Sequence, residues 1–154
     1  MEIRPMGERE AREIAGWEYP PPYDFYNMNG EGEEELRGDE AVFDDGSLVG
    51  FFCTGAEARV PEGYGAGAYP EGAGIIIDIG LGMNPERTGR GGGMAFLTLI
   101  LGHLRADRSP AAFRLTVADF NERAIRLYRK AGFRETASFL RNDTRFLVLV
   151  KKEK

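Results

Sequence analysis

The chain has 154 residues, which is enough for one domain with a hydrophobic core and too few for two ordinary domains, so we expect a single domain over residues 1–154. Its composition, 42% hydrophobic and 29% charged, is typical of globular proteins. No apolar run approaches the roughly 18 residues of a membrane span. One cysteine, Cys53, excludes an internal disulfide, and the N-terminus lacks the pattern of a signal peptide, so we expect a cytoplasmic protein.

The net charge of −5 is divided unevenly along the chain. Residues 1–86 carry a net charge of −14, and residues 87–154 carry +9. A basic half favours a polyanionic ligand, and an acidic half attracts cations. Nucleic acid is not expected as a partner, because the chain is acidic overall and its arginines are spread through amphipathic segments. Alternatively, the charged residues lie on solvated surfaces, and their uneven division along the chain has no functional meaning.

The first half of the chain predicts a strand, two helical segments and a hairpin. The hairpin is predicted because Asp45-Gly46 lies between two strand-like runs. A glycine-rich tract without periodicity then predicts a long loop. In chain order, the predictions are a strand at 2–4, a short amphipathic helix at 7–17, one helical turn at 23–27, a surface loop or poorly packed helix start at 30–40, the hairpin at 41–53 and the loop at 56–72.

A glycine-rich stretch from Met83 to Met94 is the main functional signal. The β-branched run before it predicts a buried strand over 75–83, and the run after it, apolar on all sides, predicts a buried helix to about residue 105. A glycine turn that opens a helix exposes unpaired N–H groups at the positive end of the helix dipole. Such a turn is a ready phosphate site, although the glycines could also serve only to make a tight turn.

The remaining chain predicts a strand at 113–118, an amphipathic helix at 121–131 that ends at Gly132, and strands at 133–140 and 144–150. The alternation of strand and helix from residue 74 onward predicts a parallel strand pair joined by a crossover helix.

Two known phosphate loops do not fit the glycine stretch. A Walker A loop ends in Gly-Lys-Ser/Thr, whereas this stretch ends in Gly91-Gly92-Gly93-Met94. A dinucleotide fold carries an acid on the next strand, whereas the strand at 113–118 has none, and the first 82 residues have no place in that fold.

Two motifs frame the second half of the chain. The first is Thr88-Gly89-Arg90-Gly91-Gly92-Gly93, preceded by Pro85, and the second is the segment 121–133, of the form Asn-x-x-Ala-x-x-Leu-Tyr-x-Lys-x-Gly-Phe. Both resemble motifs of the GNAT superfamily of acyl-CoA-dependent N-acyltransferases, which prefers Gln or Arg at the position of Thr88. The resemblance covers residues 75–152. An aromatic start is similar to that of a bacterial subgroup and comprises Trp17, Tyr19, Pro22, Tyr23, Tyr26 and Asn27.

The resemblance implies an α/β (α+β) fold with a mixed central sheet of about six to seven strands, flanked by helices on both faces. It implies transfer of an acetyl group from acetyl-CoA to a primary amine in a ternary complex. Tyr128 would protonate the departing CoA sulfur, and a core aromatic is the alternative reading of that residue. The residues implied in cofactor binding are Leu81, Gly82, Met83, Thr88, Gly89, Arg90, Gly91, Gly92, Gly93, Met94, Asn121 and Tyr128.

Asp78 is an acid in an otherwise apolar strand, and burying a carboxylate is costly unless it is used or paired. In part of the superfamily an acid at this position faces the acceptor, so Asp78 is a candidate base. A structural partner, such as a nearby arginine, is the alternative. His103 is interpreted as structural or surface, and no metal site is expected because no His/Cys/Asp cluster has ligand spacing.

The acidic N-terminal half suggests a cationic acceptor. Edge strands in this fold often pair, so the resemblance also allows a homodimer. Two other classes stay open, a non-catalytic acyl-CoA-binding or sensing module and an interaction domain whose acidic face binds a basic protein.

Overall fold

A computed structural model describes the chain from Met1 to Lys154 and contains one seven-stranded sheet flanked by helices. The strands are β1 (Glu2–Pro5), β2 (Glu40–Asp44), β3 (Ser47–Thr54), β4 (Ile76–Met83), β5 (Ala112–Ala118), β6 (Arg134–Arg141) and β7 (Thr144–Lys152). The helices are α1 (Glu8–Ala15), α2 (Glu33–Leu36), α3 (Glu62–Gly65), α4 (Gly93–Arg108) and α5 (Glu122–Lys130), with 3-10 turns at Tyr23–Tyr26 and Gly55–Ala58.

The strand order is β1-β2-β3-β4-β5-β7-β6. β4 and β5 are parallel and are joined by α4, which confirms the predicted crossover. The recorded pairings of β1 with β2, β2 with β3, β5 with β7 and β6 with β7 are antiparallel. The sheet is therefore mixed, as predicted.

The chain forms two compact units. Unit 1 comprises residues 1–53 and 81–99, and unit 2 comprises residues 54–80 and 100–154. β4 and α4 contribute residues to both units. One domain over residues 1–154 stays a prediction.

Unit 1 is built around the face of α1 that carries its apolar side chains. The hairpin of β2 and β3 turns at Asp45 and Gly46, whose φ angles of 50° and 80° fit the type I′ turn that Asp-Gly favours. The core of this unit comprises Met6, Ala11, Ile14, Ala15, Trp17, Leu36, Ala41, Phe43 and Leu48.

Unit 2 contains β5, β7 and β6. In the turn between β6 and β7, Asn142 has a left-handed φ of 54°. Asn121 caps α5, since its side-chain oxygen accepts a hydrogen bond from the Ala124 N–H at 3.2 Å. One core cluster of this unit comprises Ala68, Tyr69, Ala118, Phe139, Phe146 and Val148.

Two segments differ from the sequence expectations. α4 buries one face and leaves Ala95, Thr98 and Gly102 exposed, so it is not buried all round as predicted. The predicted loop at 56–72 contains α3 and one turn of 3-10 helix. None of the helices has the length and apolar content needed to cross a membrane.

Candidate functional site

The glycine stretch connects β4 to α4 within unit 1. Gly89 and Gly91 have φ angles of 74° and 82°, in the left-handed region that side-chain-bearing residues rarely adopt. A Cβ built on Gly91 would meet no atom within 4 Å, so the space beside this backbone is open.

The start of α4 presents backbone donors. The Phe96 N–H donates to the Gly92 carbonyl at 3.1 Å, so the helical hydrogen bonds begin at Gly92. The N–H groups of Gly93, Met94 and Ala95 consequently have no acceptor within the helix. Together with the positive end of the helix dipole, they suit an anion such as a phosphate.

The turn before α4 is stabilised by its own hydrogen bonds. The Thr88 hydroxyl donates to the Pro85 carbonyl at 2.9 Å, and the Arg87 N–H donates to the Asn84 carbonyl at 2.8 Å. Thr88, where the family prefers Gln or Arg, therefore uses its side chain to shape the turn. The Arg90 residue is exposed.

A cavity of about 660 Å³ adjoins the turn. The side of this cavity formed by the turn consists of Met83, Glu86, Arg87, Arg90 and Gly92. Its lining carries both positive and negative side chains. Two of them, Arg87 and Asp44, form an ion pair with 3.8 Å between Nη1 and Oδ2. The volume falls in the range of small-molecule sites, roughly 300–1,000 Å³.

The end of β4 is held tightly to β3. The Asn84 N–H donates to the Val49 carbonyl at 2.7 Å, and the Asn84 side-chain amide donates to the Leu48 carbonyl at 3.0 Å. A Cβ added to Gly50 would lie 2.4 Å from the carbonyl oxygen of Gly82, so only glycine permits this close approach of the two strands. Leu81, Gly82 and Met83 thus lie on a well-anchored strand that leads directly into the turn.

Asp78 lies in unit 2 within a buried cluster of two arginines. Its side chain is 3% exposed, and Arg114 on β5, 4% exposed, donates to it twice, from Nε to Oδ1 at 2.6 Å and from Nη2 to Oδ2 at 2.9 Å. Arg59 adds a third donor, from Nε to Oδ2 at 2.8 Å. Of the two roles that the sequence leaves open for Asp78, these contacts favour the structural one.

The two arginines have further partners that hold the 56–72 segment in place. Arg114 donates to the Pro70 carbonyl at 3.0 Å, and its guanidinium lies 5.1 Å from the centre of the Tyr69 ring. Hydrogen bonds to Tyr64 and then to Asp78 raise the pKa of Arg59, so this guanidinium stays charged. The sequence allows an arginine as the partner of Asp78 but does not identify Arg59 or Arg114. The available signal is that Arg114 is a basic residue in an apolar strand, and the parallel register pairs it with Asp78.

Tyr128 and Asn121 both belong to the α5 region of unit 2. Tyr128 is 6% exposed, and its ring centre lies 6.0 Å from that of Phe133. The Asn121 oxygen caps α5, which gives this residue a structural function besides the one implied by the resemblance. His103 is exposed on α4.

The structure therefore brings the predicted residues together in separate groups. Unit 1 contains Leu81 to Met83 and the 88–94 turn, while unit 2 contains Asp78, Asn121 and Tyr128. A seven-stranded mixed sheet, with a glycine turn that leads from a central strand into a helix, defines an α/β protein whose turn presents backbone N–H donors at the start of that helix.

The family model described as the acetyltransferase (GNAT) family matches residues 6–133, and the chain belongs to this family. No curated protein sequence matches the chain significantly.

Several solved structures share the fold. A chimera of Vibrio cholerae spermidine N-acetyltransferase and hSSAT has a TM-score of 0.72 and 17% identity, covering 98% of this chain and 94% of its own. An aminoglycoside acetyltransferase in complex with coenzyme A has a TM-score of 0.69 and 16% identity, with 97% and 93% covered. The yncA protein from Salmonella typhimurium, solved with acetyl-CoA, has a TM-score of 0.65 and 14% identity, with 98% and 92% covered.

Proposed function

We propose that this protein transfers an acetyl group from acetyl-CoA to a primary amine by direct attack within a ternary complex. The observation that carries the proposal is the turn between β4 and α4, where two left-handed glycines and the open N-terminus of α4 form an anion cradle in a chain of the GNAT family. Two of the structures that share its fold contain coenzyme A or acetyl-CoA.

In this proposal, the pyrophosphate of the cofactor binds the N–H groups of the turn from Gly89 to Met94. Backbone donors are available there because Gly92 accepts the first hydrogen bond of α4. Arg90 is exposed at the same turn and adds a charge-assisted contact. Thr88 supports the cradle from within by its bond to Pro85.

The pantetheine arm would run along the backbone of Leu81, Gly82 and Met83. The recorded pairing between β4 and β5 runs from Ile76 with Ala112 to Ile79 with Leu115. We propose that the β4 backbone groups beyond Ile79 bind the arm and that Asn121 contributes a hydrogen bond to the cofactor.

The chemistry requires a neutral amine, stabilisation of a tetrahedral oxyanion and an acid for the leaving thiolate. The amine nitrogen forms a bond to the acyl carbon, the carbon–sulfur bond breaks, and Tyr128 gives its proton to the sulfur and recovers one from water. A backbone N–H near Met83 would hold the developing oxyanion. Because two arginines already occupy the Asp78 carboxylate, we assign Asp78 a structural role and propose that the amine proton leaves to water.

The acceptor is proposed to be a compound with several amino groups, one of which reacts in its neutral form while the others carry positive charge. Residues 1–86 carry a net charge of −14, which attracts cations. Spermidine and aminoglycosides, named for two of the similar structures, are amines of this kind.

Calorimetric titration with acetyl-CoA tests the cofactor site. Gly91→Val should abolish binding, because the new side chain strains the left-handed backbone and fills the open space of the cradle. Gly67→Val is the matched control, since Gly67 also has a positive φ, 68°, and open space around its Cβ, but lies in another loop.

Thiol release from acetyl-CoA in the presence of a panel of amines then tests transfer. Binding without release would indicate an acyl-CoA-binding module. Failure of the wild-type protein to bind acetyl-CoA would contradict the proposal and favour an interaction domain.

A further inference from the structure

The aromatic N-terminal segment reaches the end of β4 through one hydrogen bond. The Tyr19 hydroxyl donates to the carbonyl oxygen of Met83 at 2.7 Å, across 64 positions of sequence. Burial raises the pKa of Tyr19 to about 12, so the hydroxyl keeps its proton and remains a donor at neutral pH. The aromatic motif of this segment therefore has a contact at the strand that the proposed cofactor arm would follow.

Tyr19 is itself fixed by its neighbours in unit 1. Its backbone N–H donates to the side-chain oxygen of Asn27 at 2.8 Å. Trp17, two residues earlier, is 9% exposed, and its ring centre lies 6.3 Å from that of Phe51 on β3. The Tyr19 ring packs against the core of unit 1. A side chain anchored at both its backbone and its ring can impose an orientation on the group that it contacts.

The hydrogen bond from Tyr19 helps to fix the orientation of the peptide group between Met83 and Asn84. Along a strand, the N–H and C=O of one residue point to the same edge, and those of the next residue point to the other edge. The Asn84 N–H points towards β3, where it bonds to Val49, so the backbone groups of Met83 point away from β3. The Tyr19 hydroxyl lies on that side and holds the Met83 carbonyl. The Met83 N–H belongs to the preceding peptide and shares this edge because Met83 has the extended conformation of β4, which the bond to Tyr19 supports.

We propose that Tyr19 is a positioning residue for acetyl transfer, because it holds the backbone of Met83 with its N–H towards the acyl group. This inference rests on the proposed function, in which a backbone N–H near Met83 stabilises the oxyanion. Tyr19 exerts this effect without a bond of its own to the acyl group. It acts through Met83, while Asn84 fixes the β3 side of the same peptide.

Tyr19→Phe removes only the hydroxyl and tests this role in the full chain. The turnover number should fall by about three- to tenfold, the worth of one hydrogen bond. The dissociation constant of CoA itself should stay within about twofold, because CoA lacks the acyl carbonyl and the glycine cradle is intact. Tyr64→Phe is the control, since it also removes a hydrogen-bonded hydroxyl, but on an exposed ring in unit 2.

A second measurement does not depend on turnover. Amide hydrogen exchange of residues 81–84 should be faster in Tyr19→Phe than in the wild type, while the amides of β7 stay protected. A double variant with Asn27→Ala should slow turnover less than the two single effects combined, because Asn27 acts through the backbone of Tyr19.

The outcomes separate the two proposals. If the wild type transfers acetyl groups and Tyr19→Phe matches it in turnover, the role of Tyr19 is refuted and the proposed function stands. Unchanged exchange at residues 81–84 would likewise overturn the positioning role. If the wild type transfers nothing to any amine, the proposed function fails, and the catalytic meaning of Tyr19 fails with it.

Discussion

The variant Asp78→Asn distinguishes two roles for Asp78. A structural role predicts a loss of stability, whereas a role as the catalytic base predicts a loss of turnover without a loss of stability. The carboxylate is 3% exposed and receives three N–H donors from Arg114 and Arg59. The amide of asparagine would keep the shape but would leave Arg114, which is 4% exposed, without its counter-charge.

Removing one partner of a buried ion pair costs about 3–5 kcal/mol, because the remaining charge is left uncompensated. For a chain of this length, each kcal/mol shifts the melting temperature by about 2–4 °C, so Asp78→Asn should lower it by about 6–20 °C. The free energy of unfolding is measured by urea denaturation, and turnover is measured well below the melting temperature of the variant.

Asp143→Asn is the matched control, because Asp143 lies exposed in the turn between β6 and β7. Its unfolding free energy should stay within about 0.5 kcal/mol of the wild type. If Asp78→Asn unfolds like the wild type but loses turnover by about a hundredfold or more, the structural assignment is wrong and Asp78 is the base.

Three further predictions concern the cradle, the acid and the C-terminal ion pair. Gly91→Val should lower the unfolding free energy by only about 1–2 kcal/mol, the cost of a left-handed backbone, while calorimetry detects no acetyl-CoA binding; retained binding would show that the cradle lies elsewhere. Tyr128→Phe should lower turnover by about a hundredfold while CoA affinity stays nearly constant, and equal turnover would remove Tyr128 as the acid. The hydrogen bond from Arg105 holds the pKa of Glu153 below its ordinary value of 4.5, so the stabilisation is present above about pH 4.5 and is lost as the pH falls through the lowered pKa. Glu153→Gln should therefore melt earlier than the wild type at pH 7, with a difference that shrinks in acid; a difference that does not depend on pH would contradict this assignment.

Local chemistry explains why much of the fold could be predicted from sequence. The Asp45-Gly46 turn, the Asn121 cap and the alternation of strand and helix around the glycine stretch each depend on residues close in sequence. Such features place β4, α4 and the cradle before any tertiary contact is considered. The two sequence motifs also predict the family correctly, since the GNAT family model matches residues 6–133.

The parts that could not be predicted depend on contacts between distant residues. The partner of Asp78 lies 36 positions away on β5, and the partner of Tyr19 lies 64 positions away on β4. α3 is not predicted from the sequence, because Glu-Gly-Tyr-Gly has poor helix propensity. Its helical turn depends on packing, since Gly63 is buried against the rings of Tyr69 and Phe139.

The most direct test is mass spectrometry of a primary amine, such as a polyamine, incubated with acetyl-CoA and the protein. We expect an acetylated amine in an amount equal to the free CoA thiol released, with neither formed by Gly91→Val. Tight acetyl-CoA binding without any acetylated amine across the panel, or product formed equally well by Gly91→Val, would contradict acetyl transfer through the glycine cradle.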